Sequence, residues 1–552
     1  MKLKTYFNAV LLCLAAGLLA ACADDIMGDG NKDKQVKEEV KGVQFTINEP
    51  RLSSKTRSAV LGDVDGNSAA GKTRTSIKHT PGQGAEAYWS EGDRIWVQDK
   101  NGDWQQSIST VLHDGGASAE FTLPGTQADY SEGCDVRYVG MDAFLTPMNG
   151  GSPGINPYQP QLAPNDFSKA GEYGDCGTGT AHATGNPQKW NFTLEHAVSY
   201  LCLLPRCENA ALGQNIVLTN VAVEAADIAT DKPDWIAADG ASSTMGGGLL
   251  SLNYYANTPS AYLYASNSVG GTVNNFPLTN TTTDAATNAC YLLLLPGTHD
   301  LTVTYTIKDK VTNIETTIKK PLGSVVCNAG QINDITTWID KDLKGNHTDY
   351  YLWGAQEPLT KDALQLAPGD PQAANRTTTI PNALFSPLPN ANELCWYAYK
   401  GDVHWGQSLD VYVVNGHLKH IKGIWLKKKA KILADEHISA SYMENGYPRF
   451  DNNVYKDWRN VYFEPGLPFA AYPQLLAPKT TPVPNTQDYF FLPLLGYKPF
   501  GRYISSVDDT AFYWSSSSPY RQQAWVLDIY NLGVKVITAT NYQSGFIVMP
   551  FQ

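Results

Sequence analysis

The sequence carries little charge, lacks the paired cysteines of a zinc site, and past residue 21 has no long apolar run. Only 17% of its 552 residues are Asp, Glu, Lys or Arg, and 42 basic against 54 acidic residues leave a formal charge of −12. A chain of that sign has no electrostatic basis for holding nucleic acid. No C-x-x-C or Cys/His spacing of the zinc-binding kind occurs. Phosphate loop, H-E-x-x-H and nucleophile elbow are missing as well, and the ten histidines are scattered singly. The chain therefore reads as a non-enzyme with no metal and no other cofactor. Nothing after residue 21 approaches the roughly 20 apolar residues of a membrane helix. Of nine cysteines, Cys13 and Cys22 lie at the start, leaving Cys134, Cys176, Cys202, Cys207, Cys290, Cys327 and Cys395. That number is odd, so at least one thiol stays out of any disulfide. A Cys290–Cys327 pair suits an oxidising compartment, and a set of lone buried thiols suits the composition equally.

What is present begins with Leu19-Ala20-Ala21-Cys22, which closes a short apolar stretch opened by Lys2 and Lys4. A basic start, an apolar run of about ten residues and small residues before the cut make residues 1–21 a secretory signal peptide. Val10 to Ala21 is too short to stay in a bilayer as a helix, and Cys22 offers a thiol for lipid. Residues 23–42 are charged and nearly devoid of large apolar side chains, so they form a tether. The acidic pair Asp24-Asp25 just after the lipidated cysteine suits the outer membrane and the cell surface.

From Gly42 the pattern becomes strands and turns. Val43-Gln44-Phe45-Thr46-Ile47 alternates apolar and polar, the period of a half-buried strand, and Pro50 ends it. Arg51 to Ala59 is polar and basic. Further strands are expected around Thr73 to Lys78, Ile95 to Gln98, Trp190 to Leu201, Asn215 to Val223, Cys290 to Pro296 and Leu301 to Ile307. Asn101-Gly102 predicts a type I′ hairpin turn. Asp99 to Asp103 and Asp63 to Asn67 echo half a calcium loop, but neither has the closing glutamate of an EF-hand, so hairpin turns account for both. Residues 145–190 read as Pro/Gly-rich loop, which puts a boundary near 188. His196, in an apolar strand, reads as a hydrogen-bonded structural histidine.

In order along the chain, Thr73-Arg74-Thr75, Trp89-Ser90-Glu91-Gly92-Asp93-Arg94-Ile95, Phe192 through His196-Ala197, Leu295-Pro296-Gly297 and Asn328-Ala329-Gly330-Gln331 resemble the fimbrillin family of type V pilus subunits over residues 43–341. The resemblance implies a lipoprotein precursor, two tandem β-sandwiches and polymerisation by strand exchange. In such subunits an arginine-specific protease cuts behind the first strand, and a neighbour's strand fills the groove left open. Here Val43 to Ile47 would be the removable strand. The expected cut is the Arg57-Ser58 bond, with Arg74 weaker because it lies within the next strand.

After Asp340 the character shifts. Residues 342–381 read as an Asn/Thr/Pro/Gly-rich linker. Asn390 and Glu393 have capping-box spacing for a helix that stops before Gly401. Phe490 to Pro493, Ala511 to Ser517, Ala524 to Leu527 and Gly545 to Val548 read as strands. Over 382–552 this series resembles the C-type-lectin-like domains of bacterial surface lipoproteins, an α+β fold. The oxidase relatives of that fold need cysteines close together, and this segment has Cys395 alone. Trp405, Trp514 and Trp525 are the candidates for a sugar-stacking platform, set against the ordinary core role of tryptophan. Lys427-Lys428-Lys429-Ala430-Lys431, the only basic cluster, reads as a solvated edge or loop.

The expected organisation is thus a signal peptide (1–21), a lipidated tether with a removable first strand (22–57), an N-terminal β-sandwich (58–188), a second β-sandwich (189–341), a linker (342–381) and a lectin-like C-terminal domain (382–552), mainly β throughout. The expected function is a fimbrial tip adhesin that accepts a strand and donates none. Its partners would be other pilus subunits, the outer membrane through lipid on Cys22, and a surface glycan or protein. The alternative is an unprocessed, lipid-anchored glycan-binding lipoprotein. The native N-terminus separates the two.

Overall fold

The structure is a computed structural model. It describes residues 42–47, 57–60, 76–82, 84–140, 159–161, 163–225, 260–263, 276–278, 285–294, 296–345, 350–448, 454–461, 475–520, 523–540 and 543–552. The signal segment, Cys22, the tether, Arg51, the 63–67 acidic string and Arg74 lie outside the described residues. The architecture is mainly β, as expected, and no described helix is long and apolar enough to cross a membrane.

In the first third of the chain the strands are Val43–Ile47 (β1), Arg57–Val60 (β2), Ser76–Thr80 (β3), Gly84–Tyr88 (β4), Ile95–Gln98 (β5), Trp104–Gln106 (β6), Ser109–His113 (β7), Ser118–Leu123 (β8), Cys134–Tyr138 (β9), Gly177–Ala183 (β10) and Lys189–His196 (β11). Eight of them form one sheet in the order β6-β5-β9-β10-β11-β1-β8-β7. The two outer strands are consecutive in the chain, and the Ser107 and Ile108 amides between them donate to Ile95 and Thr122 carbonyls at 2.9 and 2.7 Å. The sheet therefore curls, and its inner face closes on a core of Phe45, Trp89, Phe121, Tyr138, Phe192 and their neighbours. Strand β11 shows the required alternation, with Trp190, Phe192 and Leu194 buried and Asn191, Thr193 and Glu195 exposed. At the 99–103 hairpin Gly102 has φ +88 while Asn101 is not among the residues with positive φ. Gly102 N donates to Asp99 O at 3.0 Å and Asp99 N to Asp103 O at 2.8 Å. The expected type I′ turn is thus a three-residue loop with glycine in the left-handed position. The Asp99 carboxylate accepts from Asn101 N, Asp103 N and Gln105 Nε2, so this acidic string is turn chemistry.

The second body comprises Ser199–Arg206 (β12), Ile216–Ala225 (β13), Ser260–Leu263 (β14), Phe276–Pro277 (β15), Cys290–Leu294 (β16), Gly297–Asp309 (β17), Glu315–Cys327 (β18) and Ile332–Trp338 (β19), with short helices Ala210–Asn215 (α1) and Ala285–Asn288 (α2). A four-stranded sheet, β16-β12-β19-β2, faces a second sheet ordered β14-β13-β17-β18, with β15 also on β13. Leu203, Leu218, Val303, Tyr305 and Ile307 meet in one core. Every residue of β12 is buried, because the outer face of its sheet is also covered. The cover is the β3–β4 hairpin and the segment around 159–176, which contributes Phe167, Ala170, Tyr173 and Cys176 to the same core. Phe167 stacks on Tyr291 at 4.9 Å. The amides of Gln159 and Gln161 exchange hydrogen bonds with the outer edge of β16, at Leu293 and at Tyr291 and Ala289, blunting a strand edge that would otherwise be open. The expected boundary near 188 is therefore displaced. Strand β11 lies wholly in the first sheet, the crossover falls at Ala197-Val198, and β2, β3 and β4 serve the second body.

The remaining strands include Tyr350–Tyr351 (β20), His404–Gln407 (β21), Tyr412–Val414 (β22), His417–Lys419 (β23) and Lys422–Lys427 (β24), and the helices are Ala391–Lys400 (α3), Lys429–Glu436 (α4) and Ala440–Asn445 (α5). The principal sheet sets β20 beside Ser544–Ile547, then Thr510–Trp514, Gln523–Tyr530 and Gly533–Thr540. Helix α3 begins as expected: the Asn390 side chain accepts from Asn392 N and Glu393 N, and Asn390 N donates to Glu393 Oε2 at 2.8 Å. Residues 350–381 are not the expected linker. Tyr350 and Tyr351 pair with Ile547 and Phe546, and Trp353 is fully buried against Phe385 and Trp514, its Nε1 donating to Ser515 O at 2.8 Å. Hairpin β22–β23 docks on the second body: Leu418 N donates to Asp309 Oδ2 at 2.9 Å, His417 Nδ1 lies 3.1 Å from the same oxygen, and Thr312 Oγ1 donates to Leu418 O at 2.9 Å.

Candidate functional site

The feature with most chemical consequence is the slot that β1 fills. This strand pairs antiparallel with β8, from Val43↔Leu123 to Ile47↔Ala119, and parallel with β11, from Gln44↔Lys189 to Ile47↔Phe192. It is an inner strand of the sheet, so β8 and β11 each spend a backbone edge on it. Its alternation is the one read from sequence: Val43, Phe45 and Ile47 are buried, Gln44 and Thr46 half-buried. Phe45 lies parallel to Trp190, with centroids 5.8 Å apart, and edge-on to Tyr130 at 5.2 Å. Burial of three such side chains is worth about 2 kcal/mol each.

Arg57 and Ser58 lie in β2, which runs parallel to β19 with Arg57↔Asn333 and Ser58↔Asp334 in register. The bond expected to be cut thus lies in the outer strand of the four-stranded sheet. The chain thus leaves the first sheet after Ile47 and enters the second at Arg57. A protease at Arg57-Ser58 would have to lift β2 off β19, because proteases take their substrates extended and unpaired.

Two of the three tryptophan candidates are corrected. Trp514 and Trp525 are fully buried. Trp514 donates Nε1 to Tyr351 O at 2.6 Å and packs on Phe546, and Trp525 sits in the core beneath α3, so neither offers a ring face to a ligand. Trp405, on β21, is half-buried against that core. Reading the sequence missed an exposed aromatic pair, Tyr442 and Tyr455, with centroids 4.3 Å apart and Tyr455 OH donating to Tyr442 O at 2.6 Å. It also missed a cavity of about 420 Å³ lined by Leu352, Ala363, Leu366, Asp370, Asn375 and Arg376. The basic cluster is not a loop. It straddles the end of β24 and the start of α4, where Lys429 bridges Glu393 and Glu444 while Lys427 and Lys431 share Asp435, leaving little charge to attract an anion.

His196 meets its expectation, with Nδ1 3.0 Å from Asp175 Oδ1 and against the Tyr200 hydroxyl, which donates to the same carboxylate at 2.6 Å. No disulfide joins the seven described cysteines, and all are buried, so the Cys290–Cys327 pairing is not made. Burial pushes the Cys134 thiol up to about 11 and the Cys207 thiol up to about 12. Among the described residues one group, His79, Cys202 and Asp334, brings metal-donor atoms within 4.8 Å of one another.

No protein-family model matches the chain, and no curated protein matches it. Solved structures show a faint likeness. A proposed cell adhesion protein from Bacteroides fragilis is 12% identical, over 52% of this chain and 95% of that chain, with a TM-score of 0.27. One from Bacteroides ovatus is 11% identical, over 52% and 94%, with a TM-score of 0.26. A fimbrial protein from Bacteroides ovatus is 10% identical, over 90% and 98%, with a TM-score of 0.22. TM-scores this low do not establish a shared fold.

Proposed function

We propose that the chain is an exported, lipid-anchored precursor of a fimbrial subunit, matured by a cut behind β1 and assembled when another subunit's strand takes the vacated slot. The observation that carries this reading is the position of β1. The strand is short, sits between β8 and β11 with one face wholly buried, and is followed at once by a basic stretch containing Arg51 and Arg57. Loss of an edge strand would leave a sheet intact. Loss of this inner one leaves two open edges and an apolar trough, which an incoming strand with apolar residues at every second position satisfies together. A cut at either Arg51 or Arg57 separates β1 from the rest. The bond after Arg51 lies before β2, and the Arg57-Ser58 bond requires β2 to detach first.

The strand Ser544–Ile547 pairs with β20 and touches Thr510–Trp514 inside its own sheet, so this strand is not available to a neighbour. The test is digestion of the purified full chain with an arginine-specific protease in native buffer, followed by a synthetic peptide of β1 sequence carrying a fluorophore. The expected result is one cut between residues 47 and 58, with the labelled peptide entering the digested protein and not the undigested one. A chain that stays whole, or a cut chain that never takes up the peptide, overturns the reading.

A further inference from the structure

We propose that His79, Cys202 and Asp334 form a buried site for a divalent transition-metal ion of the zinc class, which pins the β3–β4 hairpin to the outer face of the four-stranded sheet. Cys202 and Asp334 are register partners on the parallel strands β12 and β19, so their side chains leave the same face of the sheet side by side. His79 comes from the hairpin laid over that face, where Ile77 and His79 point inward and Lys78 and Thr80 outward. The donors thus converge from three strands, two of which belong to a rigid sheet.

Burial limits what the cluster can hold. The three residues are 6%, 0% and 1% exposed, so whatever charge the cluster carries is held away from water. A divalent ion bound by a thiolate, a carboxylate and a neutral imidazole sums to zero net charge. The set of one sulfur, one nitrogen and one oxygen is what zinc accepts, and three protein donors leave one position of a tetrahedral shell for water.

The geometry is close to what an ion requires. Asp334 Oδ1 lies 2.6 Å from His79 Nε2, while Oδ2 is occupied by the Gly82 amide at 2.8 Å, which fixes the carboxylate with its other oxygen facing the cluster. Ligands in a tetrahedral zinc shell sit about 3.3–3.7 Å apart given bonds of about 2.0–2.3 Å, so His79 and Asp334 need part by only about 1 Å. Behind the donors, the Tyr291 ring stands edge-on to His79 at 5.8 Å and its hydroxyl donates to Asn165 Oδ1 at 2.6 Å. Such outer contacts orient metal ligands. Zinc takes a cysteine as its thiolate, so uptake of the ion expels a proton from Cys202. The donors stand at 79, 202 and 334, a separation no spacing motif could have exposed.

The test uses the full chain, loaded with zinc, desalted and assayed by elemental analysis, in parallel with cobalt loading read by the thiolate-to-metal absorption band. The expected result is about one equivalent of either metal per chain, at least about tenfold less in Cys202→Ser and His79→Gln, and full retention in Cys395→Ser. Hydrogen exchange of the β3–β4 amides should slow on metal loading in the wild type and not in Cys202→Ser. Wild-type protein with native circular dichroism that takes up neither metal overturns the proposal, and so does an undiminished cobalt–thiolate band in Cys202→Ser. Neither result depends on whether β1 is ever removed.

Discussion

Two strands near opposite ends of the described chain are both threaded into the interior of a sheet, yet they are held very differently. Strand β1 is gripped by backbone ladders along both sides and by three buried side chains, and a short basic stretch joins it to β2. The strand Ser544–Ile547 has a thinner ladder, but Met549 and Phe551 continue into the same core, and the Gln552 carbonyl accepts from Lys429 N and Tyr397 OH. The first is strongly bound but severable at one place. The second is woven in on both sides, so cutting nearby would not release it. What matters for exchange is how the chain enters and leaves a strand, more than how tightly the strand is paired.

The largest effects sharpen that contrast. Phe45→Ala should cost about 3–5 kcal/mol in the uncut chain, read by urea denaturation, and nothing once β1 has been cut away and replaced. Trp353→Ala should cost about as much in both forms, because that tryptophan holds the C-terminal body. If Phe45→Ala remained destabilising after the cut, the strand would not have been exchanged. Asn390→Ala should cost about 1 kcal/mol by uncapping α3, again in both forms.

A smaller effect should appear on acidification at the β22–β23 dock. Burial alone would raise the Asp309 carboxyl, but donors from Thr312, Leu418, Val311 and His417 hold it below the ordinary carboxylate range. A group with a depressed folded value contributes stability above its unfolded value, near pH 4, and that contribution is lost as pH falls through the folded one. Hydrogen exchange at Leu418 should therefore quicken below about pH 4, and Asp309→Asn should remove that dependence. The smallest change is expected for Lys431→Ala, whose partner Asp435 lies in the open on the same helix, so that thermal unfolding should not move measurably.

The sequence displayed the features set by local rules. The alternation of β1 needed only period two, the start of α3 needed only Asn390 and Glu393, and the buried role of His196 followed from its apolar flanks. What it hid was decided by distant partners. Strand β10 is built from Gly177-Thr-Gly-Thr-Ala-His-Ala, small and polar residues with no strand signature. Gly179 is there because a side chain would meet the Thr193 carbonyl, a constraint written in β11. The inward aim of Trp514 and Trp525 depends on which face of a sheet is covered, and the Ala-Pro-Gly-rich run after Trp353 looked like linker because its few large residues are its anchors. His79, Cys202 and Asp334 belong to the same class, brought together only by the fold.

The most direct measurement is mass spectrometry of the N-terminus of the protein taken from native surface appendages. The account predicts a chain starting after Arg51 or Arg57, free of the Val43–Ile47 peptide and accompanied by a strand from another subunit. An acylated Cys22 followed by an unbroken chain through β1, in material already incorporated into those appendages, would contradict it.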